Sequence, residues 1–593
     1  MNILGISLGH DSSFALVEDG LIRGIMEPER YFRQKRFKLQ CVTLAPGKHA
    51  SSFQYVDIED LRLFLTFVGQ AWGTRFDAVA IQNQGRVDEV HNLLQILRES
   101  GFTFTHNHSV DHHLSHASLA YYTSPFSQAV ILSYDGMGND GYTVVFEGSK
   151  SAIRYIKRDA RMFGRSYNNL GYMAGLTPDV SGSTAGKAMG LAAYGRIRNE
   201  WLPLATEYVQ RYKKLPYHPV DGVNSHGRGH RINAVGLNRI PELRPFVSEP
   251  GSRGRSWRAR LRSVLRDPDP PEVRLPGPEH ELSQDLVHTV QHAWTREVLN
   301  ILRPFGAVSP NFCIVGGCAL NGVTNYAIQQ ECLFPHTHFL PNPTDCGLSA
   351  GAALYSYYAL SKAAFTGSDT SLSPYLGTGP FDMDDLPSLR ALYPHRTFDA
   401  DVLPAVLAWL IHQELIIGVI RGRYEIGPRA LGNRSILCNP LNPDMKAILN
   451  EKVKHREWFR PFAPVVPAED AHRYFTNTSD IPYMSVICFT RTEYRAMLPS
   501  VTHVDGSARL QTVRPEQHGF LHATLRAFER HSGVPILLNT SFNPSGEPIV
   551  NYCAVGLEML KTTDLDLVLI EDTLFVRPGK EALLDGLPAN LAQ

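Results

Sequence analysis

The chain has 593 residues, 43% of them hydrophobic and 20% charged, with 58 basic residues balancing 58 acidic ones. At roughly 150 residues per domain this is about four domain-sized units. The composition excludes a disordered or fibrous chain, and the zero formal charge gives no global pull towards nucleic acid or a membrane surface. The eight cysteines form no C-x-x-C pair that could build a zinc site around Cys313 or Cys318. MNILGISLG lacks the charged and long apolar segments of a signal peptide, and no run is long enough to span a bilayer. A soluble, cytoplasmic protein with no membrane contact is expected.

In chain order, NILGISL reads as a strand, GHDSS as a tight polar turn and FALVED as a second strand. Asp19-Gly20 is a hairpin signal into a third strand, LIRGIME. DHHLSHA (111–117) sets His112 and His116 four apart on one helical face. AVILSYD (129–135) is another strand, ending in Asp135-Gly136, and YTVVFEG and SAIRYIK follow a polar glycine-rich loop. The plan of strand, acidic loop and hairpin therefore occurs twice. Two such lobes are the plan of the actin/sugar-kinase/Hsp70 ATPases, an analogy of fold and not of chemistry.

SGSTAGKAMGLAAYG (181–195) is a small-residue turn suited to close packing between lobes. Residues 218–280 are rich in Arg, Pro and Gly and read as a solvated insertion, with a lid or acidic-substrate patch as the sharper alternative. Leu286, Val287, Val290, Trp294, Val298 and Ile301 recur at helical spacing, with Ser283 as N-cap. NFCIVGG is a strand running into the helix-like CALNGVTNYAIQQ, where glycines and a helix N-terminus favour an anion. Asp345, in PNPTDCGLSAGAA, leaves an extended stretch before another helical run. His112, His116, Asp135 and Asp345 would make a donor set for iron, manganese or zinc; a capping aspartate and a hydrogen-bonded histidine pair fit the same residues. Residues 365–384 read as a linker. A second domain follows, opened by the helix VLAWLIHQ and the strand LIIGVIRG.

That domain carries EIGPRALGNRS (425–435), KHREWFRPFAP (454–464) and NTSFN (539–543). Arg429, Arg434, Lys454, Arg456, Arg460 and Arg509 stand among glycines and prolines, with Asn539, Ser541 and Asn543 as further donors. Arginine forks match phosphate oxygens, and so many cations beside small and apolar residues call for an anion.

These three segments resemble the signatures of the O-carbamoyltransferases, among them the nodulation, cephalosporin hydroxymethyl and tobramycin carbamoyltransferases. The resemblance spans nearly the whole chain and is weakest over 218–280. It implies an α/β fold: a two-lobed actin/Hsp70-like, Kae1-like domain over 1–364, then a YrdC-like α/β domain over 385–593. By resemblance, Arg429, Arg434, Lys454, Arg460, Arg509, Asn539 and Ser541 hold carbamoyl phosphate and the carbamoyladenylate made from it with ATP and Mg²⁺. His112, His116, Asp135 and Asp345 match the family's metal site, iron first. Lys187 and Gly190 match a K-x-M-G-L-A-x-Y-G segment bordering the nucleotide, and Gly316, Gly317 and Asn321 its nucleotide-binding turn. His10, Asp11 and Lys35 match positions near the acceptor, where a base would take the hydroxyl proton; Asp11 is equally suited to closing its own turn.

The sequence departs from the family where Pro28 replaces the second glutamate of E-E-x-R, and in the arginine-rich insertion. The acceptor is expected to be a small-molecule hydroxyl, of a secondary metabolite or a sugar as in antibiotic biosynthesis, and oligomeric state is left open. Two other readings stand beside this one. A tRNA-modifying threonylcarbamoyladenosine synthase needs a broad basic face, which the neutral charge opposes. A non-catalytic actin/Hsp70-like nucleotide switch leaves the carboxy-terminal cations unexplained.

Overall fold

A computed structural model of the chain describes residues 1–37, 39, 58–83, 87–138, 141–179, 182–212, 236–248, 272–368, 371–476 and 479–586. Of the arginine-rich insertion, 218–235 and 249–271 lie outside the described residues.

The first sheet is an antiparallel meander, β1 (Asn2–Ser7), β2 (Ser13–Glu18) and β3 (Leu21–Met26), extended by the parallel strands β4 (Arg75–Asn83) and β5 (Thr103–Asp111) in the order β3-β2-β1-β4-β5. Helix α1 (His112–Tyr122) leaves β5 directly. The second sheet repeats the plan. β6 (Gln128–Gly138), β7 (Gly141–Ser149) and β8 (Ala152–Asp159) form the meander, and the parallel strands β9 (Asn311–Val315) and β10 (His336–His338) extend it, in the order β8-β7-β6-β9-β10. One topology used twice is the two-lobed actin/Hsp70-like architecture, and the duplication seen in the sequence is this repeat.

Between the meander and β9 come α2 (Ala185–Ala192) and α3 (Glu281–Leu302). The helically spaced apolar side chains of α3 are all buried, each contributing roughly 1.5–3 kcal/mol. His280, not Ser283, caps this helix: its side chain accepts the amide of Leu282, and Ser283 is buried within the first turn. After β9 come α4 (Gly322–Gln330) and α5 (Leu348–Ser361), and α5 packs on α1 and on β1.

The carboxy-terminal part is built on one eight-stranded mixed sheet. Its elements are β11 (His395–Thr397), α6 (Leu403–His412), β12 (Ile417–Ile420), β13 (Arg434–Cys438), β14 (Ala463–Pro467), β15 (Gln511–Val513), α7 (Pro515–Ser532), β16 (Leu537–Ser541), β17 (Leu567–Ile570) and β18 (Thr573–Val576). The strand order is β11-β18-β17-β12-β13-β16-β14-β15, with α6 and α7 packed on each other and on its core.

The segment read as a linker, described over 365–368 and 371–384, is tied to both parts of the chain along residues 374–378. Its backbone bonds Ile25 through Leu376, Tyr424 through Gly377 and Thr378, and Ile426 through Pro374. No helix among the described residues is long and apolar enough to cross a membrane.

Candidate active site

The start of α1 is fixed by Asp111, whose carboxylate accepts the amides of His113 at 2.9 Å and Leu114 at 3.2 Å. This N-cap sets the direction of His112 and, one turn on, of His116; their rings lie edge to face with centroids 4.8 Å apart. Asp135 reaches them from β6. Its Oδ1 accepts the amides of Gly136 at 2.6 Å and Gly317 at 3.1 Å. Its Oδ2 lies 3.1 Å from His112 Nε2 and 3.6 Å from His116 Nε2. Asp345, in the turn opening α5, closes the group with Oδ1 3.8 Å from His112 Nε2 and 3.4 Å from His116 Nε2.

One donor atom from each of the four residues lies within 4.8 Å of the other three, and none of the four is more than 9% exposed. Burial opposes charge on His116, yet Asp135 and Asp345 outweigh it and raise the imidazole to about 9. Asp135 is held well below the carboxylate range, against burial, by His112 and His116. Both ring nitrogens of His116 are buried without a hydrogen-bond partner, a costly state. Two imidazoles and two carboxylates so disposed fit a divalent ion of intermediate hardness.

The first hairpin turn borders this cluster. His10 Nδ1 is 3.1 Å from Asp11 Oδ2 and 3.5 Å from Asp345 Oδ2, and the charge of Asp345 and the bond to Asp11 raise His10 to about 9 against burial. Asp11 also serves the turn, with a left-handed φ of 57°. Glu29, not singled out in the sequence, joins them: it accepts the amide of Arg36 at 2.9 Å, and burial with the charges of Asp11 and Glu27 raises it to about 7. The only sequence signal was its place as the second acid of EPER. Lys35 lies within charge range of Lys454, at the carboxy-terminal cluster.

That cluster is organised by Glu425, fully buried, whose Oε1 accepts the amides of Leu431 (2.8 Å), Asn433 (2.7 Å) and Arg434 (3.1 Å). The loop so bent presents Arg429, whose Nε is buried without a partner. Burial and Arg460 lower Arg429 to about 10. Arg509 is pushed well down by burial, Arg429 and Arg460. Arg456 is also pushed well down, by burial and Arg460 with Glu457 in partial compensation, and it stacks 4.3 Å over Phe462. Lys454 is lowered by burial, Arg456, Arg460 and Lys35.

The seven residues expected around the donor divide. Arg434 gives its guanidinium to Asn551 Oδ1 and to the carbonyls of Arg421, Gly422 and Asn433, so it clamps the loop from behind. Lys454 Nζ donates to Ser541 O at 2.8 Å and Asn543 Oδ1 at 2.7 Å, tying NTSFN to KHREWF. Asn539 Nδ2 donates to Ala430 O and Gln511 Oε1. Arg429 and Arg509 lie within charge range of Arg460, whose Nη1 is 3.7 Å from Glu457 Oε2.

The nucleotide candidates also divide. Gly316 has φ 94° and Gly317 holds Asp135, so this turn belongs to the His/Asp cluster. Asn321 caps α4 through the amide of Thr324 and donates to Gln291 Oε1. Lys187 pairs with Glu457, and Gly190 packs on Pro461 and Phe459, both at the contact between α2 and KHREWFRPF.

With this geometry in place, the comparisons with known proteins decide the family. The pattern described as Carbamoyltransferase N-terminus matches residues 88–354, and that described as Carbamoyltransferase C-terminus matches 408–577. The chain belongs to the carbamoyltransferase family. The nodulation protein NolNO of Sinorhizobium fredii is 31% identical over 94% of this chain and 77% of its own length. Nodulation protein U of Rhizobium tropici is 27% identical over 100% and 98%. An uncharacterized protein of Synechocystis is 29% identical over 98% and 97%. Both clusters of this carbamoyltransferase lie on matched segments.

Proposed function

We propose that this carbamoyltransferase uses ATP and carbamoyl phosphate to make carbamoyladenylate in a YrdC-like part (385–593), and passes the carbamoyl group to a small-molecule hydroxyl in a Kae1-like part (1–364). The observation that carries the first half is the set Arg429, Arg460 and Arg509, in which burial and the neighbouring guanidiniums lower Arg429 and Arg509, backed by Lys454 and Arg456. Cations crowded together and partly withdrawn from water call for an anion between them.

In the first step carbamoyl phosphate loses phosphate to water. The carbamate oxygen then bonds to the α-phosphorus of ATP as the bond to pyrophosphate breaks, with Mg²⁺ accompanying ATP. The arginine forks orient the phosphoryl oxygens and neutralise charge developing on them. In the second step the acceptor oxygen bonds to the carbamoyl carbon, the bond to AMP breaks, and the hydroxyl proton passes to the His10–Asp11–Glu29 group. A divalent ion held by His112, His116, Asp135 and Asp345, iron by family resemblance with manganese or zinc also suited, would supply Lewis-acid polarisation there. Because carbamoyladenylate is open to hydrolysis, the passage between the clusters has to exclude water.

Two substitutions test the division. Arg460→Ala is expected to cut carbamoyl-phosphate-dependent pyrophosphate release by about a hundredfold or more. His116→Ala is expected to spare that release while losing transfer and metal content by elemental analysis. Equal loss of both partial reactions in His116→Ala would overturn the two-site assignment.

A further inference from the structure

Glu457 is an acid set among the cations. Its Oε1 pairs with Lys187 of α2, and its Oε2 lies 3.7 Å from Arg460 Nη1. That second oxygen is buried and has no hydrogen-bond partner. The carboxylate is therefore committed to Lys187 and only loosely engaged with Arg460. Lys187 itself rides on a fixed platform: Gly190 sits against Pro461, its carbonyl accepts His503 Nε2 at 2.9 Å, and Tyr194 packs edge-on against Trp458 with ring centroids 4.9 Å apart. The turn Glu457–Arg460, closed by the amide of Arg460 on the carbonyl of Glu457, sets the two side chains one turn apart.

A guanidinium takes a carboxylate or a phosphate with the same fork. A phosphate on Arg460 would meet Glu457 as a rival anion. We propose that Glu457 is an internal counter-anion competing with the donor's phosphate for Arg460, and that Lys187 sets donor affinity by holding this carboxylate aside. Both are positioning residues acting through Arg460, and the assignment of the donor rests on the function proposed above. Lys187 thereby takes a different part from the place beside the nucleotide that the family resemblance implies.

The signs are opposite, which makes the test sharp. Glu457→Gln removes the rival and is expected to tighten phosphate binding about three- to tenfold, the scale of a screened unit-charge contact near a surface. Lys187→Met releases Glu457 onto Arg460 and is expected to weaken binding by a similar factor. In the Glu457→Gln background, Lys187→Met is expected to change it less than about twofold, so the pair is strongly non-additive. The readouts are the calorimetric Kd for inorganic phosphate at 0.15 M salt, and the KM for carbamoyl phosphate in pyrophosphate release, with kcat nearly unchanged.

The proposal falls if Glu457→Gln leaves or weakens phosphate affinity, or if Lys187→Met still weakens it fully when Glu457 is already neutral. Melting temperatures of the folded variants identify a merely structural loss, which would lower stability without opposite shifts in Kd. If the phosphate affinities shift as expected but no variant, nor the unaltered enzyme, releases pyrophosphate, then the adenylate reading fails and the counter-anion stands.

Discussion

Glu29 shows how one side chain acquires a role from its surroundings. In water a glutamate is ionised well below neutrality; here burial, Asp11 and Glu27 raise it to about 7, where a general base works best. The folded protein then keeps a proton that the unfolded chain gives up above about 4.5, so this residue's contribution to stability falls as pH rises from about 4.5 to 7. Transfer should do the opposite and rise through about 7 as the carboxylate forms. Glu29→Gln is expected to flatten that limb and slow transfer about 10²-fold or more, leaving pyrophosphate release unaltered. Single-turnover transfer from preformed intermediate across this range measures it, and a surviving limb in the variant would assign the base elsewhere. At the same scale, Arg429 and Arg434 stand five apart in one segment with opposite duties. Arg434 spends its donors on backbone carbonyls, whereas Arg429 keeps a buried Nε bare. Residue type and spacing are the same for both, so only the bend imposed by Glu425 separates them.

At the scale of elements, the Glu425–Arg434 loop is where the two parts of the chain meet. Gly427 has φ 92°, and a Cβ there would stand 2.5 Å from Pro341 O and 2.9 Å from Asn342 Cα. Gly427→Ala therefore has to push this loop off the stretch that carries Asp345. A cost of about 1–3 kcal/mol in stability is expected, together with a larger fall in pyrophosphate release than in metal content, since Arg429 moves and α1 does not. Chemical denaturation and the two assays check it. Elements of this kind were partly legible in the sequence. The twin meanders could be read because apolar runs alternate with short polar, glycine-bearing stretches, and the His112/His116 face because four-residue spacing is geometric. Asp135 and Asp345 could be grouped with the histidines as a donor set, but a capping aspartate and a hydrogen-bonded histidine pair fitted as well, because what brings both carboxylates to α1 is β6 and the α5 turn. Residues 365–384 read as a spacer because Gly, Ser and Pro mark irregular backbone without saying where its hydrogen bonds go; those of 374–378 go to Ile25, Tyr424 and Ile426. The N-cap of α3 was misplaced by three residues because a histidine ring took the part usually given to serine.

Across the whole molecule, the adenylate reading needs its two clusters joined without a leak, and a buried ion pair provides the joint. Glu27 and Arg30, 3% and 1% exposed, meet at 2.6 Å. Glu27 accepts the amide of Gly427 at 2.9 Å, and Arg30 donates to the carbonyls of Glu425 and Gly427 while its guanidinium lies 4.4 Å over the ring of Tyr424. The same short segment carries Glu29 within charge range of Asp11 and Lys35 within charge range of Lys454. Removing Arg30 strands a buried carboxylate, at about 3–5 kcal/mol, and stability alone would not show what the pair is for. The informative comparison sets Arg30→Met beside the double variant Glu27→Gln, Arg30→Met, in which no charge is left unpaired. The double variant is expected to regain most of the melting temperature but not the coupling: AMP formed per carbamoylated product should stay several-fold above the unaltered enzyme's ratio, because intermediate escapes to water between the clusters. Quantifying AMP and carbamoylated acceptor in the same reaction decides it. A double variant that recovers both stability and coupling would reduce the pair to a packing feature, and the seal would then have to lie in the contact between α2 and KHREWFRPF.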